Sequence, residues 1–138
     1  MSANENLSAP ARSKEDIKNI LVVDDSGMAR MIIKQCLEIA GFRGKKFTEA
    51  ANGADALEKL ASEKAELIVT DLNMPVMEGT ALLSRIKSSD EFKDILVIVI
   101  TSTSNPAKEN DLKRSGAFAV INKPVSPASI HAAFISFK

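Results

Sequence analysis

The chain has 138 residues, 45% of them apolar, with 18 basic and 18 acidic side chains in formal balance. That is the length of one domain with its own core, and it lacks the basic excess expected of a nucleic-acid module. No apolar run is long enough to span a bilayer, and a single cysteine, Cys36, excludes an internal disulfide framework.

Residues 1–18 are polar, with few large apolar side chains, and are expected to form a mobile extension ahead of a domain over 19–138. They lack the apolar centre of a signal peptide, so a cytoplasmic location is expected. Ile20–Val23 then reads as a strand. Residues 27–40 set Met28, Ile32 and Cys36 on one helical row and Ala29, Ile33, Leu37 and Ala40 on the next, with Gly41 as a stop. A weaker strand signal lies near Lys45–Thr48. Asn52–Gly53 has the composition of a hairpin turn, but the spacing of Ala54, Leu57, Leu60 and Ala61 makes Asn52 the N-cap of a helix over 53–62.

Leu67–Val69 is the next strand, and the helix over 79–87 carries Leu82, Leu83 and Ile86. Ile95–Ile100 is the longest apolar run, rich in Val and Ile as strands are. Asn105–Pro106 opens a helix over 106–115, in which Leu112 alone is large and apolar. Phe118–Ile121 reads as the last strand. The final helix, over 127–137, places Ile130, Ala133, Phe134 and Phe137 at i, i+3, i+4 and i+7. Continuous apolar strands alternating with amphipathic helices predict an α/β fold: a five-stranded parallel sheet with five helices on both faces.

In such a sheet, ligands bind beyond the carboxyl ends of the strands. Asp24 and Asp25 follow the first strand, Asp71 the third, Thr101 the fourth and Lys123 the fifth. Taken singly, each reads as an ordinary turn, cap or strand-end residue. Together they bring three carboxylates, a hydroxyl and an ammonium to one edge. Crowded carboxylates repel, and hard oxygen donors of this kind suit Mg²⁺. An Asp carboxylate beside such an ion can act as a nucleophile toward phosphorus. The metal and the Lys ammonium would offset charge on the phosphoryl oxygens.

On these residues the chain resembles the receiver domains of bacterial two-component response regulators. The resemblance covers about residues 19–137 and rests on ILVVDDSGMAR, EAANGADAL, LIVTDLNMPVMEG, VIVITS and INKP. It is most similar to the single-domain chemotaxis response regulators. The resemblance implies a flavodoxin-like, doubly wound sheet of strand order 2-1-3-4-5. It implies Asp71 as phosphoacceptor, with Thr101 and Lys123 contacting the phosphoryl group. It implies Asp25, Asp71 and the backbone carbonyl of Asn73 as direct ligands of Mg²⁺, with Asp24 holding the ion through water. Lys123–Pro124 matches a peptide bond usually cis in the family. Asn73 and Thr103 match positions that tune phosphoryl lifetime.

One position departs from the pattern. The family's usual aromatic switch, three residues before the lysine, is Val120 here. Phe118 lies two residues earlier and is expected on the same face by strand periodicity, either simply packed or as a displaced switch.

Other residues have plain readings. Cys36 is expected in the core, Met28 and Met31 in the core or rim of the first helix, and Met74 and Met77 under the Asp71 loop. His131 lacks a second histidine to share a metal. The expected function is a phosphorylation-dependent switch, not an enzyme, that takes a phosphoryl group from a histidine kinase and binds a target protein through the fourth helix and fifth strand. About 120 residues beyond the extension leave no output domain, so the readout is expected to be protein binding or onward phosphotransfer to a second histidine protein. A phosphate-independent binding module is the other alternative. A haloacid-dehalogenase-type enzyme is disfavoured, because Asp24-Asp25-Ser26-Gly27 does not match its Asp-x-Asp pattern. Nucleotide-binding glycine motifs are missing too.

Overall fold

The computed structural model describes residue 11, residues 13–102 and residues 105–135. Five strands form one sheet: β1 (Asn19–Val23), β2 (Lys46–Ala50), β3 (Leu67–Asp71), β4 (Leu96–Thr101) and β5 (Ala119–Asn122). Their order is β2-β1-β3-β4-β5. Every pairing is parallel, with Val22 opposite Val69, Thr70 opposite Val99 and Thr101 opposite Asn122. The sheet has the predicted strand order. The connecting helices are α1 (Gly27–Leu37), α2 (Gly53–Ser62), α3 (Gly79–Lys87), α4 (Pro106–Arg114) and α5 (Pro127–Ala133).

Parallel strands cannot be joined by tight hairpins, so each crossover carries a helix, and the helices must cover the sheet. One face packs Leu21, Val23, Ile68, Val97 and Val99 against residues of α2, α3 and α4. The other packs Ile20, Val22, Leu67, Val69 and Ile98 against residues of α1 and α5. That double burial explains why the strands read as unbroken apolar runs rather than alternating ones.

Helix starts follow local side-chain chemistry. Ser26, Asn52, Asn105 and Ser126 each accept a hydrogen bond from a first-turn backbone N–H, which satisfies a donor the helix itself leaves open. Asn52 is thus a cap, as its spacing predicts. Gly41, within the wide turn over Glu38–Phe42, has φ 117°, a left-handed conformation that ends the helical path.

Several expectations need correction. Residues 13–18 are not a loose extension. Ile17 is fully buried among Ile20, Ile33, Leu37 and Phe42. Lys14 donates to the Ala40 carbonyl oxygen at 3.1 Å and lies over the Phe42 ring. Glu66 accepts from the backbone N–H groups of Lys18 and Asn19, both at 2.8 Å. The packed domain therefore begins before residue 19.

In α1, Ile33, Cys36 and Leu37 are buried as expected, but Met28 and Met31 are 68% and 51% exposed. Periodicity finds the apolar face of a helix and not how much of it a neighbour covers. Helix α5 ends at Ala133 rather than 137, and Phe137 lies outside the described residues.

Phe118 precedes β5, so strand periodicity does not reach it. It joins the α1–α5 face, its ring 5.1 Å from that of Phe134, whereas Val120 packs on the opposite face. Val120 alternates with Ala119 and Ile121, as strand residues should.

Burial of Ile17 makes a direct test. Ile17→Ala should cost about 3 kcal/mol, the usual range for emptying a buried isoleucine site, read as a shift in the urea midpoint. A loss under about 0.5 kcal/mol, the scale of surface changes, would show that the segment is not seated.

Candidate functional site

The parallel arrangement sets all carboxyl ends of the strands along one edge. Asp24 and Asp25 follow β1, Asp71 and Thr101 end β3 and β4, and Lys123 follows β5. Asp24, Asp25, Asp71 and Lys123 come together there, and Thr101 ends the strand beside β3. Asp24, Asp25 and Asp71 each offer a carboxylate oxygen, and those oxygens lie within 4.8 Å of one another. Asp24 and Asp71 are only 3% and 4% exposed, and Thr101 is fully buried. Asp25 faces solvent.

Lys123 Nζ lies 3.0 Å from Asp71 Oδ1. The contact is an ion pair, and Oδ1 is buried with no further hydrogen-bond partner. Burial pushes the Asp24 carboxyl above its ordinary value, and the neighbouring Asp71 charge pushes the same way. The Ser26 N–H and Lys123 oppose the shift without cancelling it. One ammonium beside three clustered carboxylates leaves negative charge that a divalent cation would offset, and the donors are the hard oxygens that such ions prefer.

Local structure holds these groups in place. Asp24 donates its N–H to the Ala50 carbonyl oxygen at 3.1 Å, and its Oδ1 accepts from the Ser26 N–H at 2.9 Å. The loop after Asp71 is tied at both ends. Leu72 donates to Ile100 at 2.9 Å, and Gly79 donates back to the Leu72 carbonyl at 2.8 Å. A Cβ on Gly79 would sit 2.5 Å from the Asp71 carbonyl oxygen, so only glycine permits this return.

Between these ties Val76 takes φ 69°, unusual for a β-branched residue, with Met77 donating to Pro75 at 2.8 Å across it. The Met77 carbonyl accepts from Gly53, which ties the loop to the start of α2. Met74 is buried and Met77 half-packed, as expected of this loop. Asn73 is exposed two residues beyond Asp71. The Lys123–Pro124 peptide is cis, and the Lys123 N–H donates to the Thr101 carbonyl at 2.9 Å.

Val120 shares its sheet face with Val99, and by the two-residue period with Thr101. Phe118, on the opposite face, does not join them, which removes the basis for reading it as a displaced switch. Thr103 lies outside the described residues. Beside the acids, Ala29, Ile32, Ile33, Ile100, Pro124 and Val125 line an open, largely apolar groove of about 400 Å³.

Sequence reasoning missed Arg30. Its Nη1 donates to the Asp24 carbonyl oxygen at 2.6 Å and its Nε to Glu49 Oε1 at 2.7 Å. The available signal was its place in the first turns of α1, where side chains lean back toward the helix start.

Because its carboxyl is raised in the fold, Asp24 contributes most stability below the ordinary carboxylate pKa and loses that contribution as pH rises through the raised value. Asp24→Asn keeps an acceptor for Ser26 and removes the charge. In metal-free protein at pH 7 it should raise the melting temperature, with the gain shrinking toward pH 4. A lowered melting temperature at pH 7 would contradict this account of the site.

Residues 20–135 match the response regulator receiver domain family. Chemotaxis protein CheY1 of Helicobacter pylori is 38% identical over 109 residues, covering 78% of this chain and 86% of that protein. The two-component response regulator ORR5 of rice is 35% identical over 113 residues, covering 81% and 82%. The solved structure of chemotaxis response regulator CheY4 of Vibrio cholerae superposes with a TM-score of 0.75 at 27% identity, covering 88% of this chain and 99% of that one. Sequence and fold agree: the chain belongs to the response regulator receiver domain family and is similar to the single-domain chemotaxis response regulators.

Proposed function

We propose that this receiver domain is a switch that accepts a phosphoryl group on Asp71 from a partner histidine kinase. The observation that carries the reading is the buried Asp71 carboxylate, ion-paired with the Lys123 ammonium and clustered with the carboxylates of Asp24 and Asp25. An Asp71 oxygen attacks phosphorus in line. The bond from phosphorus to the donor histidine nitrogen breaks, its electron pair stays on that nitrogen, and an acyl phosphate forms. Asp25, Asp71 and the Asn73 backbone carbonyl would hold Mg²⁺, with Asp24 assisting through water, and the ion would offset charge on the phosphoryl oxygens. Lys123 supplies fixed positive charge from the other side. The Thr101 hydroxyl donates to a phosphoryl oxygen. Asn73 and Thr103 tune how readily water reaches the acyl phosphate.

The groove beside α1 opens the site to the donor, since its apolar wall ends at Asp24 and Lys123. Output runs through α4 and β5. Leu112 is the one buried residue of α4, so that helix is held by little apolar area. A target protein that binds the phosphorylated arrangement more tightly reads the signal, and onward transfer to a second histidine protein uses the same site. Val120 in place of the aromatic residue favours a second reading, a binding module that works without phosphate. The family consists of signalling proteins rather than classical enzymes. Among the described residues, no helix is long and apolar enough to cross a membrane.

Incubation with Mg²⁺ and acetyl phosphate should add one phosphoryl group by intact mass, and Asp71→Asn should abolish the gain. No gain, together with no binding of a beryllofluoride mimic, would favour the phosphate-independent reading. Beryllofluoride should also change amide exchange in residues 105–122, and equal protection with and without it would overturn the assignment of the output face.

A further inference from the structure

We infer that Arg30 is a positioning residue for the acidic site: by holding the Asp24 carbonyl oxygen and Glu49 together, it fixes the peptide joining Asp24 to Asp25 and sets how tightly the site holds a divalent cation. The inference rests on the reading of Asp24, Asp25 and Asp71 as cation ligands.

Asp24 is restrained at each of its polar groups. Its N–H is held by β2 through Ala50, its carboxylate by the Ser26 N–H, and its carbonyl oxygen by Arg30. Only the last restraint fixes the plane of the peptide that leads to Asp25. Asp25 is exposed, so no surrounding packing holds its carboxylate over the site. The backbone that carries it sets where that carboxylate starts, and the Asp24 carboxylate is its side-chain neighbour.

The guanidinium is well suited to this clasp. Its planar fork reaches two oxygens on different elements at once, at 2.6 Å and 2.7 Å, and both contacts are charge-assisted. Arg30 is also anchored at its own backbone, donating to the Ser26 carbonyl oxygen at 3.0 Å. The side chain is 20% exposed and that of Glu49 51%, so the clasp is shielded mainly on the Arg30 side. A lysine carries the same charge but offers a single point, and cannot reproduce two directed bonds.

Charge and positioning predict opposite signs. If Arg30 acted only as a nearby cation, removing it would leave the site more negative and tighten cation binding. If it orients the ligands, removing it weakens binding, as loss of groups that orient metal ligands generally does.

The test is Mn²⁺ binding, as a paramagnetic probe of the Mg²⁺ site, followed by the electron paramagnetic resonance signal of the free ion. Wild-type protein should bind one Mn²⁺, and Asp71→Asn should bind it much more weakly. Arg30→Gln and Arg30→Lys should each weaken binding about tenfold. Glu49→Gln, which leaves the Asp24 contact, should weaken it by a smaller factor. The double variant Arg30→Gln/Glu49→Gln keeps net charge unchanged and should bind as weakly as Arg30→Gln. Urea midpoints without metal report the purely structural contribution. Unchanged or tighter Mn²⁺ binding in Arg30→Gln overturns the inference, even if the urea midpoint falls. Absence of Mn²⁺ binding in the wild-type protein would instead overturn the reading of the acids as cation ligands, and this inference with it.

Discussion

Two buried carboxylates, Asp24 and Asp71, stand side by side at the ends of neighbouring parallel strands. Placing like charges in a poorly solvated corner is unfavourable, and the surrounding structure is arranged around that fact. Lys123 is brought from β5 to within 3.0 Å of Asp71. Asp24 is bonded at its amide, its carbonyl and its carboxylate. The loop after Asp71 is drawn back so closely at Gly79 that no side chain fits there. A corner held this firmly does not relieve its repulsion by moving, and its clustered carboxylate oxygens are a group that could hold a divalent cation.

Only this topology creates the corner. β1 and β3 are adjacent and parallel, so the residues that follow them emerge on the same edge. The apolar residues on both sheet faces keep that register. A one-residue slip would carry Ile20 and Val22 to the face of Leu21 and Val23 and break both packing clusters. Core packing and site geometry are therefore one constraint.

Much of this was legible in the sequence. Strands buried on both faces make long apolar runs, and Asp24, Asp25, Asp71, Thr101 and Lys123 each sit where such a run stops, so the edge they share follows from fold class alone. What was hidden depends on neighbours rather than on period. Ile17 is one large apolar residue in a polar stretch, and no repeat marks it, yet Phe42 and Leu37 close over it. Met28 and Met31 share the apolar pattern of α1 but extend past the helix's covered face. Phe118 sits one residue before β5, where alternation has not begun. Arg30 binds a backbone carbonyl, a partner that side-chain motifs do not reveal.

Val120 bears on how movement is passed through the sheet. An aromatic ring there could swing between two positions and act as a lever. Valine is branched at Cβ, is stiff about its one side-chain torsion, and packs against the α2–α4 face of the core. It therefore has no ring to swing and no second rotamer that a lever would need. Thr101 is joined to β5 through the backbone, where it pairs with Asn122 as Val99 pairs with Val120, so the hydrogen-bonded ladder itself links the site edge to the last strand.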